Sequence, residues 1–252
     1  CTTSSEAKVE VSIVRKIYKY LLNYSPFFAV NKIKDTFKVE MARHKTEEKV
    51  PRSLQTDLRY MDLVPLQSQG WYQDNVIDSY FELLQKRSVD YPSLVPSLEV
   101  LITKFYTKLV QSGYKGVKRW RENRSIFTSD LVLMPVNIKE HWTLLAFNIR
   151  TKTVTYYCSL MLCMPNVLVL AKDFVVNEAN AKNIADFNVD DWTFYQDLNV
   201  AQQSNGFDCG AAVCMFAEHV SSRRPIPQKM PASDRMRAMQ GMELMRSALF
   251  YR

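Results

Sequence analysis

The chain has 252 residues, 47% of them hydrophobic and 23% charged, a composition that fits one large packed domain, or a domain with an extension, and excludes a disordered or collagen-like chain. Its 33 basic residues outnumber the 26 acidic ones, and the net charge of +7 favours acidic partners. The basic residues are dispersed rather than clustered, so nucleic acid is not expected, and the absence of an apolar run of about 18 residues excludes a membrane-spanning helix.

In chain order, residues 1–8 are small and polar and are expected to fray. The chain opens on Cys1 rather than Met, so a fragment is expected, with targeting signals upstream of it. Residues 9–50 mix apolar and basic side chains around Ile17-Tyr18-Lys19-Tyr20-Leu21-Leu22, which suits one or two short helices. The charged stretch His44 to Pro51 ends in proline and is expected to be a linker. It divides the chain into a partly helical extension of unknown role, residues 1–52, and a main domain, residues 53–252.

Val76, Ile77, Tyr80, Phe81, Leu83 and Leu84 form a helical stripe over residues 73–87. A second helix is expected over residues 99–112, closed by Gly113. The pattern then changes to short apolar runs at 131–136, 142–149 and 154–157, separated by polar turns. These predict three adjacent, mostly antiparallel strands of a buried sheet, with an edge strand over residues 192–198. Residues 209–220 are apolar almost all round, as in a central helix packed on that sheet, and Pro225 discourages continuation. Met236, Met239, Met242 and Met245 recur at three-residue intervals, the spacing of a pliant core face on a last helix.

The chemistry concentrates at two places. Cys209 stands where the central helix begins, and a helix N-terminus favours a thiolate nucleophile. Gly210 behind it is expected to let a substrate backbone approach. Asp208 would oppose that thiolate, so its carboxylate is expected to turn toward backbone or cations. The chain has only three histidines. His44 lies in the expected linker, and His219 is ten positions along the helix from Cys209, too far to touch it. His141, at the start of a buried strand, is left as the base. Gln203, six residues before Cys209, offers a side-chain amide to an oxyanion, with Gln202 as the competing choice. The five cysteines are an odd number at low density, read as reduced thiols in the nucleus or cytoplasm, with no disulfide framework.

These residues resemble the SUMO-specific (sentrin-specific) proteases of the ubiquitin-like-protease family. The resemblance rests on Trp71-Tyr72-Gln73-Asp74, on His141-Trp142, on Tyr156-Tyr157-Cys158-Ser159, and on the loop from Gln203 through Asn205-Gly206-Phe207-Asp208-Cys209-Gly210. It covers roughly residues 53–250. It implies an α+β, papain-like cysteine protease fold whose central, mostly antiparallel sheet is packed by helices. It also implies a SUMO-type substrate whose C-terminal Gly-Gly tail threads a channel closed by Trp71 and Trp142, with Asp74 pairing to a basic residue on the substrate's body. The family has His where this chain has Asn137. The larger departure is Cys158, which occupies the position of the aspartate that orients the base.

The expected activity is therefore cleavage after the SUMO Gly-Gly, in precursor processing or in release from target lysines. Catalysis is assigned to Cys209, His141 and Gln203, with Cys158 in the orienting position. Cys158 also motivates the alternative, a catalytically impaired pseudoprotease that binds SUMO or another ubiquitin-like protein, because a thiol is a weak acceptor. A zinc site is disfavoured: the Cys158/Cys163 and Cys209/Cys214 spacings lie in the zinc range, but Cys209 and Cys214 point apart on one helix. No cofactor and no metal are expected. The partners are SUMO or SUMO-conjugated proteins, and the chain is expected to be monomeric.

Overall fold

The computed structural model describes residues 26–50, 56–162 and 164–250. The expected frayed start and the helix around Ile17 to Leu22 lie outside the described residues.

A five-stranded sheet forms the middle layer, in the order β1 (Leu98–Val100), β2 (Leu131–Ile138), β3 (His141–Asn148), β4 (Thr153–Tyr157) and β5 (Thr193–Asp197). The three central strands pair antiparallel, as the short polar turns between them require. Both outer pairs, β1 with β2 and β4 with β5, are parallel. The sheet is thus mixed rather than simply antiparallel. A parallel neighbour needs a long crossover, and helices supply it on both sides.

Alternation along the strands splits the core into two apolar layers. Leu131, Leu133, Leu144 and Ala146 face one layer, with Trp142. That layer is completed by α1 (Pro26–Ala42), α3 (Asp74–Asp90), α6 (Cys209–Ser221) and α7 (Ser233–Arg246). Val132, Met134, Val136, Leu145, Phe147 and Tyr156 face the other, against α4 (Thr103–Val117) and α5 (Pro165–Ala181). A four-residue helix, α2 (Tyr60–Leu63), precedes the loop that leads to Trp71. α6 is buried along nearly its whole length, which is why its sequence is apolar on all sides.

Three expectations change. Residues 98–100 are a strand, and the following helix starts at Thr103, whose backbone and side chain both donate to the Asp78 carboxylate. Gly113 does not close that helix; it kinks it, at φ 59°, and helical turns resume to Val117. An apolar run at residues 98–102 fits strand and helix alike, and pairing with Leu131–Leu133 decides for strand. The charged stretch from His44 is not an open linker over its described part. The His44 ring stacks on Tyr60 with centroids 4.1 Å apart, Val50 is buried, and Lys49 bridges Arg59.

The described part of the extension, residues 26–50, is also built into the core. Ile33, Phe37 and Met41 of α1 are buried against α7. The approach depends on Gly241: a Cβ there would sit 2.3 Å from the Phe37 ring. On the opposite layer Arg121 is buried between Glu99 of β1 and Glu178 of α5 and bonds both, tying the sheet edge to its covering helix.

Candidate active site

The β2–β3 hairpin sets the position of His141. Lys139 and Glu140 both adopt positive φ, 50° and 65°, the two-residue turn that matches strand twist. Asn137 accepts the Glu140 backbone N–H through its side-chain oxygen, 3.2 Å away, and so supports that turn. His141 is then the first residue of β3, at the open end of the sheet.

β4 runs antiparallel beside β3 and carries the chain into Cys158 just past its end. The Cys158 sulfur lies 3.3 Å from His141 Nε2 and is fully buried. The imidazole therefore keeps Nδ1 as its other working nitrogen. Burial lowers the His141 pKa below its usual 6.5, which favours the neutral, proton-accepting ring. Tyr156 lies on the same strand face. Its hydroxyl is buried close to the Thr143 hydroxyl and the Cys158 thiol, and burial raises its pKa, with the Cys158 thiol contributing.

Cys209 is the first residue of α6. Burial raises its thiol pKa, and the nearby backbone N–H groups of Trp142, Gly210 and Cys209 itself act to lower it. The helix start and the residue following His141 thus converge on one sulfur. Gly210 serves another purpose than the expected substrate approach. A Cβ there would sit 2.5 Å from the Tyr72 Cβ, so the glycine admits a neighbouring side chain of the protein itself.

The two glutamines part ways. Gln202 gives its amide to the carbonyls of Val200 and Cys158, at 3.0 and 3.3 Å. Gln203 is buried and fixed on three sides: Ser159 Oγ donates to its side-chain oxygen at 2.6 Å, its Nε2 donates to the Asn205 carbonyl at 2.7 Å, and its backbone N–H bonds Ser159 O. Asp208 does turn away from the thiol. Its carboxylate accepts Arg237 Nε at 2.7 Å, Ser233 Oγ at 2.7 Å and Asn205 Nδ2 at 2.8 Å.

Both tryptophans flank this centre, in different settings. Trp142 is buried on the α6 side of the sheet, and its Nε1 donates to Tyr72 O at 3.1 Å. Trp71 is half exposed and is hinged by one bond, Nε1 to Gly206 O, 3.1 Å. Asp74 is the exposed first residue of α3, where the helix dipole favours a carboxylate. His219 donates to or accepts from nothing near Cys209; its Nδ1 bonds Pro225 O at 2.8 Å. Cys163 of the zinc spacing lies outside the described residues, and among the described ones no group of His, Cys, Asp or Glu could hold a metal.

The Ulp1 protease family, C-terminal catalytic domain, matches residues 70–249. The chain belongs to this family. Its similarity reaches 34% identity over 167 residues with sentrin-specific protease 2 of Rattus norvegicus, covering 66% of this chain and 28% of that protein. It is 33% identical over 173 residues to sentrin-specific protease 3 of Mus musculus, covering 68% of this chain and 29% of that protein. The chain thus spans less than a third of these relatives' length. Among solved structures it is similar to the C-terminal Ulp1 protease domain in complex with SMT3, the yeast ortholog of SUMO. That match has a TM-score of 0.71 at 24% identity over 85% of this chain and 94% of that one, and it establishes the fold. A second Ulp1 structure, with its catalytic cysteine oxidized to a sulfonic acid, matches at TM-score 0.69 and 25% identity over 85% of this chain and 94% of that one.

Within this Ulp1-family domain, sequence reasoning missed three supports. Ser159 was read only as part of a motif, yet it anchors Gln203. Tyr72 fills the space at Gly210 and receives the Trp142 indole. Arg237 hides inside the methionine pattern of α7, where nothing in the sequence separates it from a surface arginine.

Proposed function

We propose that the chain is a cysteine protease that cleaves after the C-terminal Gly-Gly of SUMO, maturing the precursor, releasing SUMO from target lysines, or both. The observation that carries this reading is Cys209 at the start of α6, its sulfur beside the backbone N–H of Trp142, the residue after His141, in a chain of the Ulp1 protease family.

In this reading Cys209 attacks the carbonyl of the last glycine, and His141 Nδ1 takes the thiol proton. The second N–H of Gln203 Nε2 and the backbone N–H of Cys209 receive the oxyanion. The C–N bond breaks, the leaving amine takes the proton from His141, and a thioester to Cys209 remains. Water, activated by His141, hydrolyses that thioester. Trp71 closes over the glycine tail, whose lack of side chains suits a flat aromatic lid, while Trp142 forms the channel's inner wall. Asp74 is exposed and pairs with a basic group on the body of SUMO. Cys158 stands where a carboxylate would orient the base. Its sulfur reaches Nε2 and holds the ring, but stabilises the imidazolium less than an anion would. The binding-only alternative gains no support from this geometry, since the thiol still contacts the base.

A fluorogenic substrate made of SUMO with a dye on its C-terminal glycine tests the reading. Release of dye by the chain and its loss in Cys209→Ser are expected. No release above the Cys209→Ser level, with circular dichroism showing a folded protein, would overturn it.

A further inference from the structure

The most completely bonded side chain near the candidate site belongs to neither catalytic element. Arg237, on the second turn of α7, is one of the largest fully buried residues. Its Nε donates to Asp208. Its Nη1 reaches the carbonyls of Pro65, Ser68 and Gly70 at 3.0, 3.2 and 2.8 Å, and Nη2 reaches Phe207 O at 2.6 Å. The guanidinium plane lies between the rings of Tyr72 and Phe207, at 5.1 and 5.2 Å.

Those acceptors lie on two separate stretches of chain. Residues 65–70 lead directly into Trp71, and residues 207–208 lead directly into Cys209. Among the described residues, one exposed hydrogen bond from Trp71 to Gly206 also links these stretches. One planar cation thus staples the lid-bearing segment to the nucleophile-bearing segment. It also meets the one carboxylate adjacent to the nucleophile, which would otherwise oppose a thiolate. A lysine offers the same charge but not the fork that five acceptors on two segments require.

We propose that Arg237 is a positioning residue of this site: it fixes the separation of the two channel walls and cancels the charge of Asp208 beside Cys209. The wall-fixing half rests on the protease reading above; the charge half does not, and it is read separately. The positive charge of Arg237 also acts to lower the Cys209 pKa.

The test uses the intact chain and two readouts. The first is the pH profile of Cys209 alkylation by iodoacetamide, which needs no SUMO. The second is steady-state cleavage of the SUMO C-terminal substrate. Arg237→Met should move the alkylation midpoint up by about one pH unit, and adding Asp208→Asn should bring it back. Asp208→Asn alone, which keeps the arginine, should move it down, so the proposal stays testable if Arg237→Met fails to fold. Arg237→Lys should hold the midpoint within a few tenths while kcat/KM falls about tenfold, mainly through KM, because charge survives and the clamp does not. A purely structural arginine would instead lower Tm in each variant and leave the midpoint of the folded protein unmoved, which would overturn the proposal. If the midpoints shift as expected but no variant and no parent cleaves SUMO, the protease reading fails and the charge role stands.

Discussion

In the proposed mechanism, Cys158 is the residue that limits the strength of catalysis. The thiol reaches His141 Nε2 but carries no fixed charge to stabilise an imidazolium. Cys158→Asp should raise plateau kcat by about tenfold, a modest part of what an oriented base contributes. The new carboxylate favours the protonated ring, so the acid limb of the pH–rate profile should move up from its starting position below 6.5. A profile measured between pH 5 and 9 checks both, and an unchanged plateau and limb would show that Cys158 is not the base's partner. The glutamines make a second, sharper comparison. Gln203→Ala should lower kcat by about a hundredfold, as loss of an oxyanion donor does, while Gln202→Ala, whose amide is spent on two carbonyls, should change it less than about threefold. Equal losses would contradict the assignment.

At the scale of elements, α1 of the extension packs as part of the hydrophobic core. Phe37 of α1 is buried against α7 at Gly241, so Phe37→Ala should cost about 3 kcal/mol, read from urea unfolding. A loss below about 0.5 kcal/mol would make α1 a separate appendage. This packing was not legible in the sequence, because the charged stretch from His44 reads as a linker unless Tyr60 is known to lie over it. Elements with one dominant signal were legible. α3 shows its stripe, α6 its unbroken apolar run, and β2 to β4 their short runs between polar turns. β1 was not, since three residues beside a helix start carry no period of their own, and only pairing to β2 defines them. The site divides the same way. Cys209, His141 and Gln203 stand in local motifs. Arg237, Tyr72 and Ser159 act through contacts across up to 172 positions of chain, which no local pattern encodes.

For the whole molecule, pH acts on stability through a buried group that has no role in the proposed chemistry. Glu243 of α7 is fully buried, accepting the Tyr80 hydroxyl at 2.8 Å and the Phe250 N–H at 3.0 Å, and burial raises its pKa from 4.5 to about 7. Between those two values the folded chain keeps a proton that the unfolded chain has released. The stabilisation is therefore complete below pH 4.5 and is lost as pH rises through about 7. Glu243→Gln removes the titration, so Tm should fall less between pH 5 and 8 in the variant than in the parent. Identical falls would show that Glu243 does not set this dependence. The same two-layer core carries the site, with α6 and the β2–β3 hairpin meeting where Cys209 and His141 stand. We propose that this convergence makes Cys209 a nucleophile toward a SUMO tail. SUMO carrying a C-terminal vinyl sulfone, incubated with the folded chain, measures it most directly. One covalent adduct, located by mass spectrometry on Cys209 and absent in Cys209→Ser, is the result expected. No adduct, or an adduct on Cys158 or Cys214 instead, would contradict that role for Cys209.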